Sequence, residues 1–237
     1  MPRPRISPLP PRRSSHVNRL NPMALSGANP GNLAAHVYVP ARLTARPALV
    51  VVLHGCTQTA AGYDHGSGWS TLAERHGFVL LFPEQQRANN GNLCFNWFEP
   101  GDVTRDRGEV GSIREMIGQA VGEYDVDCER IFVTGLSAGG AMAAAMLATY
   151  PEVFAAGAVI GGLPYGVAAS VPEALERMRS GHDAPGAALA ARIGDAAGHQ
   201  GAWPRLSVWH GSAAALPGWT VRSALPCHTE RRGHAPW

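Results

Sequence analysis

RIFVTGLSAGGAMAAAMLATYPEVFAAG, residues 130–157, is the stretch that decides how the chain folds. Ile131 to Thr134 is a short run of β-branched and aromatic residues, which favours a strand. From residue 137 to 149 the sequence turns to Ala and Met, which favours a helix. Ser137 stands at the junction, between Gly135 and Gly139. Gly-x-Ser-x-Gly alone is a weak pattern, because both residue types are common. Placed between a strand and a helix it reads as a nucleophile elbow, a sharp turn that lifts the serine hydroxyl above the end of a sheet. Glycines there remove side chains that would clash. The following helix start points backbone N–H groups at any negative charge that develops. The competing reading is a solvated serine in an ordinary strand–helix turn.

Working outward, similar apolar runs recur. Residues 48–55 (ALVVVLHG), 78–84 (FVLLFPE), 154–162 (FAAGAVIGG) and 206–211 (LSVWHG) read as strands, and 33–40 (LAAHVYVP) as an earlier one. Continuous Val- and Leu-rich runs suit strands covered on both faces, as in a parallel sheet. Helical patterns lie between them at 68–76, 109–124, 137–149, 171–179 and 186–197. Strands alternating with helices predict an α/β fold, a mostly parallel sheet with helices on both faces. Residues 84–108 show no apolar period and form a long loop of the kind that usually serves function.

The bulk properties narrow the choices. A chain of 237 residues, 45% hydrophobic and 16% charged, is one globular domain. The net charge is only +2, with arginines gathered at the two ends, so a nucleic-acid partner is not expected. No apolar run approaches the roughly 20 residues of a membrane span. Residues 1–26 are rich in Pro and Arg, lack a signal-peptide apolar stretch, and read as a disordered leader. Cys56, Cys94, Cys128 and Cys227 match no zinc spacing and leave open either four thiols or a disulfide.

A second chemical feature follows the strand at 48–53. The loop opening with His54-Gly55 is where such folds place one oxyanion N–H, here that of Cys56 or Thr57; the other belongs to Ala138, next to the serine. His54 itself reads as a packed residue behind the site. At this point the sequence resembles a family. LHGCTQTAAGYDHGSGWSTLAERHGFVLLFPEQ, NLCFNWF and RIFVTGLSAGGAM…ATYPEVFAAGAVIGGLPYG are similar to the polyhydroxybutyrate depolymerase-type esterases, which sit beside feruloyl and acetyl xylan esterases. The resemblance covers about residues 26 to 213. It implies an α/β-hydrolase fold, a Ser–His–Asp triad with Ser137 as nucleophile, and ester hydrolysis without a cofactor or metal. It also implies a bridge between Cys56 and Cys94, and with it an oxidising, extracellular setting. Trp69, Trp97 and Phe98 then either line a substrate groove or pack in the core.

The triad's other members are not legible. The acid belongs just after the strand at 206–211, where this chain reads Ser212-Ala213-Ala214-Ala215. Glu230 and His234 follow on no recognisable scaffold; His210 belongs with the strand end. His182, Asp183, Asp195 and His199 fall in a helical insertion, 163–205, and read as a solvated cap. The abrupt loss of periodicity after residue 211 reads as a frameshift or truncation near residue 213, with a final strand and helix missing and an apolar sheet edge left open. The domain reading is therefore a leader to 26, a catalytic body over 27–211 and an atypical tail over 212–237. Two functions stay open: a serine esterase acting on a polyester or on feruloyl or acetyl esters, and a non-catalytic hydrolase relative that binds such a polymer.

Overall fold

A computed structural model describes residues 18–180 and 185–211; His182, Asp183 and the tail with Glu230 and His234 lie outside the described residues. Within them the chain folds around a seven-stranded sheet, β1 (Asn21–Pro22), β2 (Ala34–Tyr38), β3 (Leu49–Leu53), β4 (Val79–Glu84), β5 (Ile131–Leu136), β6 (Ala156–Ile160) and β7 (Arg205–Trp209). Their spatial order is β1-β2-β4-β3-β5-β6-β7. The pairs from β4 through β7 are parallel, while β2 runs antiparallel to both β1 and β4. The expected mostly parallel α/β sheet is thus present.

Two faces of the sheet bury two cores. Leu49, Val51 and Leu53 of β3, with Val79 and Leu81 of β4, point to the larger one. There they meet α4 (Gly108–Tyr124) and α5 (Ala138–Thr149). Every residue of α5 except Ala144 is buried, which is why that helix is apolar all round rather than striped. The alternate residues, Val52, Leu80 and Phe82, point the other way, toward Ala60, Tyr63 and Ala73. These belong to α1 (Ala60–Ser67) and α2 (Trp69–His76). The helix expected at 68–76 is the second of this pair; Gly68, in a left-handed conformation, ends one helix and starts the next. A short helix, α3 (Pro100–Val103), sits in the long loop, and α6 (Val171–Ser180) and α7 (Gly186–Ala197) occupy the insertion.

One boundary differs from the sequence reading. Residues 18–26 are part of the folded body: Asn21 and Pro22 pair with Val37 and His36, and Leu20 and Met23 are buried. A two-residue strand containing proline has no period to detect, and the charged leader before it masks the two apolar anchors. On the helix α1–α2 side, the β5 and β6 end of the sheet stays open. Phe132, Ala158 and Ile160 line a cleft of about 670 Å³ there, bordered by Trp69 and Leu72. Beyond them, Trp209 on β7 is 65% exposed, and β7 is the last strand of the sheet among the described residues.

Phe82 is fully buried beneath α1 and α2. Phe82→Ala is expected to cost about 3–5 kcal/mol. At roughly 2–4 °C per kcal/mol for a domain of this size, thermal unfolding should show a drop of about 10 °C.

Candidate active site

The elbow forms where three backbones meet. Ser137 has φ 56° and ψ −118°, a strained conformation for a residue with a side chain. Its N–H donates to the Ile160 carbonyl at 2.8 Å, so β6 fixes the turn. A methyl group on Gly139 would lie 2.3 Å from the Leu53 carbonyl oxygen and 2.4 Å from that of His54. One on Gly135 would lie 2.1 Å from the Gly139 oxygen. Only glycine lets the first turn of α5 press against the end of β3.

That contact carries the loop after β3 to the serine. A methyl group on Gly55 would stand 3.6 Å from Ser137 Cβ. The loop is then held from several sides. The Gly55 N–H donates to Gln58 Oε1 at 2.8 Å, the Thr57 N–H donates to the Asn92 carbonyl at 2.7 Å, and Cys56 is disulfide-bonded to Cys94. Thr57 has φ 63°. Because its N–H is already engaged, Cys56 is the better of the two expected donors; among the described residues its N–H has no hydrogen-bond partner. Ala138 opens α5, where N–H groups have no partner inside the helix. Ser137 is half-buried, and among the described residues no hydrogen bond reaches its hydroxyl.

Behind the loop lies a buried polar cluster, of which the sequence reading anticipated only His54, as a packed residue behind the site. His54 is 1% exposed, with Nδ1 2.8 Å from the Gly55 carbonyl and Nε2 accepting the Gln85 backbone N–H at 3.1 Å. Burial lowers its pKa from the ordinary value, so it stays neutral. The Gln85 side-chain amide donates to the Cys94 carbonyl at 3.0 Å and to Glu109 Oε1. The other Glu109 oxygen accepts the Asn96 N–H at 2.9 Å. Burial pushes the Glu109 carboxyl up to about 8, against the pull of these two donors. A signal for Glu109 was available: it falls on the same face as Ile113, Met116, Ile117 and Ala120, a carboxylate placed on an apolar stripe.

Other expected residues lie elsewhere. Trp97 and Phe98 are buried in the larger core, packed edge to face at 5.5 Å, and Phe98 also borders a surface pocket of about 610 Å³ with Asn96, Glu99 and Asp102. Trp69 borders the open sheet face. His199 packs edge-on against Trp203 and bonds the Ala202 carbonyl, and Asp195 lies on α7. His210 follows β7. Cys128 is an exposed thiol. No described helix is long and apolar enough to cross a membrane.

A family model described as Esterase PHB depolymerase matches residues 33–215. The chain is 48% identical over 202 residues to poly(3-hydroxyalkanoate) depolymerase C of Paucimonas lemoignei, covering 84% of this chain and 48% of that one. It is 32% identical over 212 residues to acetylxylan esterase A of Emericella nidulans, covering 86% and 68%. The structure of acetyl xylan esterase from Aspergillus awamori superposes with a TM-score of 0.78 at 30% identity, over 84% of this chain and 74% of that one. The chain spans about half the length of the depolymerase it matches.

Two outcomes are expected from the elbow and the buried cluster. Gly139→Ala should destabilise by about 3 kcal/mol or more, since backbone carbonyls cannot yield as side chains do, and thermal unfolding of the purified variant measures it. The second concerns pH. Glu109 titrates near 8 when folded and 4.5 when unfolded. The folded protein therefore keeps a proton that the unfolded chain releases, and stability is lost as pH rises toward 8. His54 acts oppositely, costing stability only as pH falls below about 6.5. Melting temperature should therefore decline from pH 6.5 to 8, and Glu109→Gln should flatten that decline.

Proposed function

We propose that this chain, which belongs to the esterase PHB depolymerase family, hydrolyses carboxylic esters through Ser137. The observation that carries the reading is the strained elbow at Ser137, brought beside Gly55 by the contact of α5 with the end of β3; in this reading the N–H groups of Cys56 and Ala138 are the oxyanion donors. The serine oxygen attacks the ester carbonyl carbon and a C–O bond forms. The carbonyl oxygen becomes an anion held by the two N–H groups, in the manner that lowers acyl-transfer barriers by about 2.7–4 kcal/mol per donor. The bond to the leaving alcohol breaks and leaves an acyl-enzyme, which water then hydrolyses, restoring Ser137.

The proton on the serine hydroxyl has to go to a base. Among the described residues no imidazole is hydrogen-bonded to Ser137. A serine without a positioned base is a weak nucleophile at neutral pH, and loss of triad members lowers turnover by on the order of 10⁴–10⁶-fold. That observation supports a second reading, in which the chain retains the groove of a hydrolase and binds an ester polymer without turnover. For the substrate we favour a hydroxyalkanoate polyester, on the strength of the 48% identity to a named depolymerase, with acetylated or feruloylated polysaccharide as the alternative. The disulfide fits an extracellular setting.

Turnover of p-nitrophenyl acetate by the full chain and by Ser137→Ala separates the readings. The esterase reading expects measurable hydrolysis that Ser137→Ala removes. Equal rates for the two proteins would overturn it in favour of binding alone. If turnover is found, relative rates on hydroxybutyrate oligomers, acetylated xylan and feruloyl esters assign the substrate.

A further inference from the structure

The buried cluster behind the active-site loop has no part in bond making, yet its hydrogen bonds converge on both ends of the disulfide. Gln85 follows β4 directly, and its backbone N–H binds His54, two residues before Cys56. Its side chain binds the carbonyl of Cys94 itself. Gln85 is fully engaged, because its amide oxygen also accepts from the Gln86 N–H at 2.9 Å and from the Asn89 side chain at 2.8 Å. Glu109 then ties this amide to the Asn96 backbone, two residues after Cys94. Gln85 is 2% exposed and Glu109 1%. Groups buried this deeply cannot replace a lost partner with water.

We propose that Glu109 and Gln85 are positioning residues for the oxyanion loop. They hold His54 on one side and Cys94 on the other, and the disulfide passes the second constraint to Cys56, so the Cys56 N–H is aimed at the Ser137 site before any ester arrives. The proposal rests on the reading of Cys56 as an oxyanion donor. Glu109 can act this way because it sits in the first turn of α4 with one carboxyl oxygen on the Gln85 amide and the other on the Asn96 N–H. Removing its side chain leaves one Gln85 amide hydrogen and the Asn96 N–H without partners, both facing the disulfide segment.

The test compares the full chain with Glu109→Ala, Glu109→Gln and Thr149→Ala. Thr149 ends α5 and its fully buried hydroxyl donates to the Ala145 carbonyl at 2.8 Å, so its loss controls for a buried hydrogen bond with no partner in the cluster or the loop. Two readouts apply: backbone hydrogen exchange over residues 54–58 and 92–97, and kcat and KM for p-nitrophenyl acetate. Glu109→Ala should speed exchange at 54–58 about tenfold or more and lower kcat roughly tenfold to a hundredfold at unchanged KM. Glu109→Gln, which keeps an acceptor for one of the two donors, should show a smaller change in the same direction, and it serves as the folded variant if Glu109→Ala fails to fold. Unchanged exchange at 54–58, or changes matched by Thr149→Ala, would overturn the proposal. If Ser137→Ala shows that turnover does not pass through the serine, the catalytic reading falls, and hydrogen exchange alone decides whether the cluster holds the loop.

Discussion

The contact on which the site depends is backbone against backbone. The first turn of α5 lies so close to the end of β3 that the Gly139 Cα has carbonyl oxygens where a side chain would be. This approach sets the distance between the Ser137 turn and the loop that begins at His54. A residue with a Cβ at Gly135 or Gly139 would push the helix away, and the serine would no longer lie beside Gly55. The strain at Ser137 is sustained because neighbours over-determine it: the Ile160 carbonyl takes its N–H, while its own carbonyl receives the Ala141 N–H at 2.9 Å and so starts the helix.

Once that approach is made, the loop still has to be held in one shape, and here three kinds of interaction act on few residues. The disulfide joins Cys56 to Cys94 across a separation of 38 residues, removing entropy from the unfolded chain worth a few kcal/mol. The Thr57 N–H to Asn92 carbonyl bond runs beside it, tying the same two segments a second time. The Gln85 and Glu109 side chains then anchor the Cys94 segment to β4 and α4, rigid parts of the larger core, while the Gln85 backbone N–H holds His54. A loop is thereby attached to a strand end, a helix start and another loop.

Much of this was legible in the sequence, for reasons that differ by element. The runs at 48–55 and 78–84 stood out because their strands are largely covered on both faces and mostly apolar, and 130–135 by its β-branched and aromatic residues, although one face of β5 stays open. The elbow was legible because its strand and helix flank it directly. The Cys56–Cys94 pairing came from family resemblance; four cysteines alone left it open. Helix α1 was missed because it carries Gly62 and Gly66 and has hardly any apolar stripe. Trp97 and Phe98 could not be assigned to groove or core, since the loop that carries them has no period from which burial can be read. Gln85 is a single polar residue beyond a strand end, and its burial depends on partners 9 and 24 residues away, which no local pattern encodes.

The charge state of the buried cluster bears on what the loop can do. A negative charge close to a developing oxyanion raises its energy, because like charges in a low-dielectric site repel. An ionised carboxylate on Glu109 would be such a charge. Burial instead holds this carboxyl protonated up to about pH 8, while the same burial keeps His54 neutral. The cluster therefore provides hydrogen bonds without net charge through the neutral range. The neutral imidazole is also the form its contacts require: with Nδ1 turned to the Gly55 carbonyl, only an unprotonated Nε2 can accept the Gln85 N–H. A glutamate that water would ionise and a histidine that water would partly protonate are thus desolvated together, and the loop's geometry and its electrostatic neutrality come from the same buried cluster.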